Sequence, residues 1–246
     1  MQNVQAIVQA RMTSARLPGK VLMDIGGRPA LTHIVDRLSR VPHIDGIVIA
    51  TSKRREDDAI ADAAKVMGVT CFRGSEQDVL SRYAGAAALV GANTVIRVTG
   101  DCPLLDPDVV TRVLSAYGEN HVDFVSNTLL RTYPIGLDVA IFSREALNVA
   151  HEVATNEDER EHVTLYIYRH PERFSQMNVA APPELTDPEL RLTLDTPEDL
   201  AFLREVFSQL YTDNPNFGLT DVLALLSDLP HLREINRDVV HKWVKT

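Results

Sequence analysis

The chain is 246 residues long, with 45% hydrophobic and 24% charged residues, which is the composition of an ordinary soluble globular protein with a sizeable core. Acidic residues outnumber lysine and arginine by 34 to 25, giving a net charge of −9. This balance disfavours a general nucleic-acid-binding protein, which needs an electropositive surface. Neither Cys71 nor Cys102 lies in a spacing typical of a zinc or redox site, so both are expected to be small buried side chains.

The first predicted strand, residues 4–8, leads directly into a loop that carries three cations. Arg11, Arg16 and Lys20 lie close together in the sequence, with Ser14 between them. Ligands of open α/β sheets bind where loops leave the carboxyl ends of strands, and guanidinium and ammonium groups match phosphate oxygens. The loop lacks both familiar glycine-rich phosphate motifs, so it is predicted to bind a polyanion through side chains. A solvated basic turn is the alternative interpretation.

Strands and helices alternate through the first half of the chain with short connections. Apolar residues recur at helical spacing in four segments, and short apolar runs separate these segments. The predicted strands are 4–8, 44–50, 69–72 and 94–98, and the predicted helices are 29–40, 56–67, 78–90 and 108–117. This pattern predicts an α/β fold with a mainly parallel, doubly wound sheet and helices on both faces.

The second half of the chain loses this regular alternation. Strands are predicted at 124–127, 137–142, 174–180 and 191–194, and helices at 143–152, 156–170 and from about 196 to 210. Residues from Gly218 onward are predicted to be helical. Because no repeat or linker is visible, we expect a single domain over 1–246, with an inserted region at about 126–185 and a helical tail at about 211–246.

Two aspartates follow predicted strands at the same sheet edge as the cationic loop. Asp101 comes after Gly100 at the end of strand 94–98, and Asp195 lies at a later strand-to-helix turn. A carboxylate beside a polyphosphate is repulsive unless a metal lies between them, and Mg²⁺ favours one or two carboxylates with phosphate oxygens and water. The pair therefore predicts a Mg²⁺ site. For either aspartate alone, a helix or turn cap is the commoner explanation.

Five segments, taken together, resemble a known family. They are RMTSARLPGK (11–20), TGDCPLLDP (99–107), YPIGLDV (133–139), EREHVTLY (159–166) and LTLDTPEDL (192–200). In this order they resemble the cytidylyltransferases of the spore-coat polysaccharide F type, which are related to the synthetases of CMP-activated acidic sugars. The resemblance spans about residues 4–205. It implies a Rossmann-like nucleotidyltransferase fold that uses CTP and Mg²⁺, transfers CMP to a sugar or sugar-acid acceptor for surface polysaccharide synthesis, and releases pyrophosphate.

The resemblance also implies roles for individual residues. Those expected to bind the nucleotide are Ala10, Arg11, Ser14, Arg16, Lys20, Gly74, Arg82 and Gly100, and those expected to hold the metal are Asp101 and Asp195. Arg11, Lys20 and Asp101 are expected to act in catalysis. The predicted acceptor-binding residues are Tyr133, Gly136, Asp138, Glu161 and His162. Gly136 could equally be only a turn residue, and Glu161 and His162 only a helix-terminal acid and a surface histidine.

Other activities stay open on the sequence alone. A glycosyltransferase would share the fold and the metal, but would not need a triphosphate-sized group of cations. A nucleotidyltransferase using another NTP or a non-sugar acceptor is a second alternative, and a non-catalytic nucleotide-binding protein is a third. No apolar run approaches membrane-spanning length, and the first residues do not form a signal peptide. We therefore expect a cytoplasmic protein, as a homodimer, with no membrane or nucleic-acid partner.

Overall fold

The computed structural model describes residues 1–241, and the strands in this range form one large sheet and one short hairpin. The strands are β1 (Val4–Gln9), β2 (Asp24–Ile25), β3 (Arg28–Pro29), β4 (Gly46–Ser52), β5 (Thr70–Gly74), β6 (Thr94–Thr99), β7 (Phe124–Ser126), β8 (Ala140–Ser143) and β9 (Gln176–Asn178). The hairpin is β2-β3, and the large sheet has the order β5-β4-β1-β6-β8-β7-β9. Within the large sheet, only β8 runs antiparallel to its neighbours. The prediction of a mainly parallel α/β sheet is confirmed.

The described range holds nine α-helices, of which five begin with a side chain that caps the first turn. They are α1 (Ala30–Leu38), α2 (Asp58–Val66), α3 (Val79–Leu89), α4 (Pro107–Asn120), α5 (Arg144–Val153), α6 (Glu157–Glu161), α7 (Leu165–Arg169), α8 (Pro197–Leu210) and α9 (Leu219–Asp228). Asp106 caps α4 by accepting hydrogen bonds from the amides of Asp108 and Val109. Thr196 and Asp199 form a reciprocal capping box at the start of α8, which satisfies amides that have no partner within the helix.

The alternation of side chains along β1 divides the core between the two faces of the sheet. Ala6 and Val8 pack on the face that α1 covers, in one cluster with Ile34. Ile7 points to the other face and packs with Tyr83 of α3. Because both faces of a parallel sheet must be buried, this arrangement explains why the first half of the sequence alternates apolar strands with amphipathic helices.

A third core joins the C-terminal helices to the start of the chain. Phe207 of α8 and Phe217, just before α9, have ring centroids 5.2 Å apart. The ring of His33 in α1 lies 4.5 Å from that of Phe207, and the guanidinium of Arg37 donates to the carbonyl of Phe217 at 3.0 Å. The predicted helical tail is confirmed over α9, which a 3-10 turn at Pro230–Glu234 follows, whereas residues 235–241 form no helix. Residues 242–246 of that prediction lie outside the described residues.

The predicted helix at 156–170 is wrong as a single element. Two short helices, α6 and α7, take its place. The backbone reverses between them at Val163, which has a φ of 48° and is completely buried. A β-branched residue with positive φ is strongly disfavoured, so burial of this side chain outweighs the local preference for a continuous helix.

Three strands predicted in the second half differ from the structure. The segment 191–194 forms no strand and makes only one bridge, between Ile135 and Arg191. β8 starts at Ala140 rather than at 137, because the chain turns at Gly136 with a φ of 104°. The strand predicted at 174–180 is shortened to β9. Within the described range, no helix is both long and apolar enough to cross a lipid bilayer.

Candidate active site

A cavity of about 410 Å³ opens at the carboxyl ends of β1 and β6 and contains most of the predicted site residues. The predicted residues that line it are Ala10, Arg11, Ser14, Arg16, Lys20, Arg82, Gly100, Asp101, Glu161, His162 and Asp195. Gln9, Ala15, Val21, Val79 and Thr99 complete the lining. The cavity thus gathers residues from five separate parts of the sequence at the sheet edge where open α/β folds bind ligands.

Close packing of β1 against β6 brings the cationic loop beside Asp101. The amide of Gly100 donates to the carbonyl of Gln9 at 2.8 Å. A Cβ atom at position 100 would lie only 2.8 Å from that carbonyl oxygen, so glycine is required for this approach. The two loops therefore leave the sheet side by side, as the sequence predicted.

The cationic loop is folded by its own backbone hydrogen bonds. The carbonyl of Met12 accepts from the amides of Ser14 and Gly19 at 3.0 and 2.9 Å. The carboxylate of the buried Asp57 accepts from the amide of Met12 at 2.7 Å. Gly19 has a φ of 74°, a conformation that glycine adopts without strain. These contacts direct Lys20 into the cavity.

Lys20 joins the two aspartates that were predicted to hold a metal. Its ammonium nitrogen lies 2.7 Å from a carboxylate oxygen of Asp101 and 2.7 Å from one of Asp195. Burial lowers the pKa of Lys20, but the charges of Asp101 and Asp195 raise it overall. Burial opposes the ionisation of Asp101, yet the Lys20 charge and hydrogen bonds lower the pKa of its carboxyl to about 2.

Both carboxylates therefore converge on the position of one cation, the ammonium of Lys20. This donor set fits Mg²⁺, which is commonly bound by one or two carboxylates together with phosphate oxygens and water. Within residues 1–241, no group of three or more His, Cys, Asp and Glu side chains could hold a metal ion. Any metal between Asp101 and Asp195 would thus complete its coordination with a ligand and water.

Arg191 is a member of the site that the sequence analysis missed. One oxygen of Asp195 contacts Lys20, and the other lies 3.0 Å from the guanidinium of Arg16 and 2.8 Å from that of Arg191. Arg191 is only 4% exposed. The signal available in the sequence was an arginine among the three leucines of segment 190–194, because a buried cation requires a specific partner.

The opposite wall of the cavity is formed by the end of α6. The guanidinium of Arg11 lies 3.9 Å from the Glu161 carboxylate, and both side chains are well exposed, so this ion pair is weak. Burial lowers the pKa of His162 below its usual value of 6.5, which leaves its imidazole mostly neutral at pH 7. Glu161 and His162 are thus brought to the cavity, where they can accept hydrogen bonds from hydroxyl groups.

Arg82 supplies a deeply buried cation to the same cavity. It is 2% exposed, and one of its terminal nitrogens donates to the carbonyl of Ser75 at 2.7 Å. The Nε of Arg82 and the side-chain oxygen of Gln9 are buried without a hydrogen-bond partner among residues 1–241. Unsatisfied polar atoms that line a cavity indicate a polar ligand. Gly74 does not line the cavity; it packs against the Arg82 side chain.

Three predicted acceptor-binding residues lie outside this cavity. Tyr133 is 1% exposed and packs in the C-terminal core. A Cβ atom at Gly136 would lie 2.6 Å from the backbone of Leu192, which accounts for glycine by packing alone. Asp138 makes a two-point ion pair with Arg131, at 2.7 and 2.8 Å. The structure therefore separates these three residues from Glu161 and His162.

Comparison with known proteins agrees with this geometry. The sequence profile of the cytidylyltransferase family matches residues 5–221. The spore coat polysaccharide biosynthesis protein SpsF of Bacillus subtilis is 32% identical over 235 residues, which are 94% of this chain and 96% of that protein. The solved structure of a cytidylyltransferase from Leptospira borgpetersenii superposes with a TM-score of 0.89 at 30% identity, covering 98% of this chain and all of that one.

A more partial match extends to a protein with a named sugar-acid substrate. The 3-deoxy-manno-octulosonate cytidylyltransferase of Geobacter sulfurreducens is 34% identical over 120 residues, which are 48% of this chain and 46% of that protein. Both the profile and the full-length similarities cover far more than half of the chain. On these grounds, together with the cavity geometry, the chain belongs to the cytidylyltransferase family.

Proposed function

We propose that the protein transfers CMP from CTP to a sugar or sugar-acid acceptor and releases pyrophosphate, in the synthesis of a surface polysaccharide or related glycan. The observation that carries this proposal is the convergence of three loop cations and two carboxylates on one cavity. The cations would neutralise part of the charge of a triphosphate. A divalent cation between the carboxylates and the triphosphate would offset the repulsion between these negatively charged groups. The names of the related proteins supply the base and the class of acceptor.

The reaction is a displacement at the α-phosphorus of CTP. An acceptor hydroxyl oxygen forms the new P–O bond, the bond to the β-phosphate bridging oxygen breaks, and pyrophosphate leaves with the electron pair. Such transfers depend on positioning and charge neutralisation more than on covalent catalysis. Arg11, Arg16 and Lys20 would hold the triphosphate and stabilise the charge that develops on pyrophosphate.

Asp101 and Asp195 would hold a Mg²⁺ ion, which supplies charge neutralisation at the phosphate oxygens when it is bound. Lys20 contacts both carboxylates, so we expect its ammonium to change partners, from carboxylate to phosphate oxygens, when the nucleotide binds. Arg82 and Gln9 have buried polar atoms without partners within the described range and would contact the ribose or the base. Neutral His162 would accept the acceptor's hydroxyl proton or orient that hydroxyl.

The test is a screen of the four NTPs against a panel of sugar acids and sugar phosphates, read by pyrophosphate release. CTP with one acceptor class should give turnover that EDTA abolishes. Asp101→Asn should keep the fold and reduce turnover by orders of magnitude. Equal thermal stabilisation by all four nucleotides, or pyrophosphate release unaffected by Asp101→Asn, would contradict the proposal. Tighter binding of CDP or a nucleotide sugar than of CTP would favour a glycosyltransferase instead.

A further inference from the structure

Arg191 links a carboxylate of the cavity to a carboxylate of the protein interior. Its Nε and Nη2 donate to the two oxygens of Asp199 at 2.8 and 3.0 Å. The same Nη2 donates to Asp195 at 2.8 Å. Asp199 is completely buried, and Asp195 lines the cavity. Arg191 therefore fixes the distance and orientation of Asp195 relative to the rigid start of α8.

Asp199 is held in turn by its neighbours. One oxygen accepts from the amides of Asp195 and Thr196 at 2.9 and 3.0 Å. The side-chain amide of Asn236 donates to the other oxygen at 3.0 Å and to the carbonyl of Arg191 at 3.1 Å. Nδ1 of His241 lies 3.0 Å from the remaining terminal nitrogen of Arg191. Asn236 and His241, both near the C-terminus, thus contact Arg191 in addition to the two aspartates.

Capping of α8 alone does not require this arginine. Asp221 occupies the equivalent position of α9, where its carboxylate accepts from the Gly218 amide at 2.8 Å. Among the described residues Asp221 forms no ion pair. A buried ion pair also contributes little net free energy to folding, because the cost of desolvating both charges offsets their attraction. Capping of α8 by Asp199 therefore does not explain the contact between Arg191 and Asp195.

We infer that Arg191 is a positioning residue that holds the Asp195 carboxylate ready for a divalent cation, and that Asn236 locks Arg191 in place. The inference rests on the proposed function in taking Asp195 as a metal ligand. Residues that hydrogen-bond to a metal-binding carboxylate hold it in the orientation that the metal requires. Loss of such a residue typically costs about 10–100-fold in metal affinity or activity. The guanidinium fork can serve Asp195 and Asp199 together, whereas the single ammonium of a lysine cannot reproduce that planar geometry.

The test compares Mn²⁺ affinity of wild type, Arg191→Lys and Asn236→Ala, each saturated with CTP and without acceptor, by calorimetry or by the electron paramagnetic resonance of free Mn²⁺. We expect Arg191→Lys to weaken Mn²⁺ binding by about 10–100-fold and Asn236→Ala to weaken it less. The Mg²⁺ concentration for half-maximal turnover should rise in parallel, while CTP affinity measured in EDTA should stay within about twofold. Arg233→Lys is the matched control, because Arg233 makes a 2.7 Å ion pair with Asp187 outside the cavity.

Two results would overturn the inference. The first is unchanged Mn²⁺ affinity in Arg191→Lys, with or without a lower melting temperature, since that makes the residue purely structural. If Arg191→Lys does not fold, the second result is an unchanged Mn²⁺ affinity in Asn236→Ala. Asp195→Asn separates this failure from that of the proposed function. If wild type and Asp195→Asn bind Mn²⁺ equally, the metal assignment itself is wrong.

Discussion

Lys20 contacts Asp101 and Asp195, the two residues that were also predicted to hold a metal ion. The sequence predicts it as a phosphate-binding cation, and the structure places its ammonium 2.7 Å from both Asp101 and Asp195. An ammonium group in that position competes with a metal ion for the same carboxylates. Burial opposes the ionisation of Asp101, but the charge of Lys20 lowers the pKa of that carboxyl to about 2.

We predict that Lys20→Met has opposite effects on the two ligands. Without nucleotide, Mn²⁺ should bind more tightly, because the competing charge is gone. CTP measured in EDTA should bind roughly tenfold or more weakly, since a charge-assisted hydrogen bond contributes about 1.5–3 kcal/mol. Titration calorimetry of each ligand checks both signs. Weaker binding of both ligands would mean that Lys20 organises the carboxylates rather than competing for them.

Some site residues were predictable from the sequence because they lie in loops that follow strands. Arg11, Lys20 and Asp101 were found because the ends of parallel strands share one sheet edge. Arg191 and Asn236 were not predicted as site residues. Their contacts to Asp199 join segments that are distant in sequence or not in regular structure. Tyr133 was assigned to the acceptor from a turn motif, and its near-complete burial was not visible in that motif.

At the scale of elements, the turn at Gly136 sets where β8 begins and how the segment after Leu190 is held. The amide of Ile135 donates to the carbonyl of Leu190, and the amide of Leu192 donates back to Ile135, at 2.9 and 2.7 Å. This pairing needs close backbone contact beside Gly136. Helices and strands of the first half were predictable from their periodicity, whereas this irregular pairing has no periodic signal.

Gly136→Ala should destabilise the protein strongly, by about 2 kcal/mol or more, because the new Cβ meets the Leu192 backbone at a positive φ. Gly27→Ala is the matched control: Gly27 has a φ of 83°, and a Cβ atom there would have no neighbour within 4 Å among the described residues, so only the backbone strain of a left-handed residue, about 1 kcal/mol, is expected. Urea unfolding of both variants gives the comparison. Equal losses would show that the close contact at Gly136 costs nothing beyond its φ.

His33 connects three elements and makes their packing sensitive to acid. It is 3% exposed, and its Nε2 donates to the carbonyl of Ile25 at 2.7 Å. Burial lowers its pKa below 6.5, so the unfolded chain takes up the proton first as the pH falls. The contribution of neutral His33 to the free energy of unfolding is therefore complete above pH 6.5 and decreases as the pH falls below it.

We predict that His33→Gln, which can still donate to Ile25, reduces the loss of stability between about pH 7 and pH 5. At pH 7 the variant should be less stable than wild type, because the ring contacts with Phe207 and Tyr211 are lost. Chemical unfolding at both pH values provides the measurement. An identical pH dependence in the two proteins would exclude His33 as a contributor.

At the scale of the whole molecule, the predicted acceptor residues fall into two separate groups. Glu161 and His162 line the cavity together with the cationic loop. Asp138 lies on another side, where burial and the charges of Asp101 and Asp138 raise the pKa of the Cys102 thiol. Asp138 is therefore close enough to Cys102, the residue after Asp101, to influence it, although it does not line the cavity. An acceptor that attacks the α-phosphorus in line must approach from the side opposite to the leaving pyrophosphate.

The last prediction concerns how the chain divides nucleotide from acceptor binding. Asp138→Ala and His162→Ala should leave CTP affinity nearly intact and should raise the acceptor KM or lower turnover, because neither removes a loop cation. Asp187→Ala is the control, since it breaks an aspartate–arginine pair of the same 2.7 Å length away from the cavity and should change neither ligand. Steady-state kinetics and CTP titrations of the three variants distinguish the outcomes. Loss of CTP binding in both site variants with a fixed acceptor KM would place the region around Asp138 and His162 in the nucleotide site and refute the division.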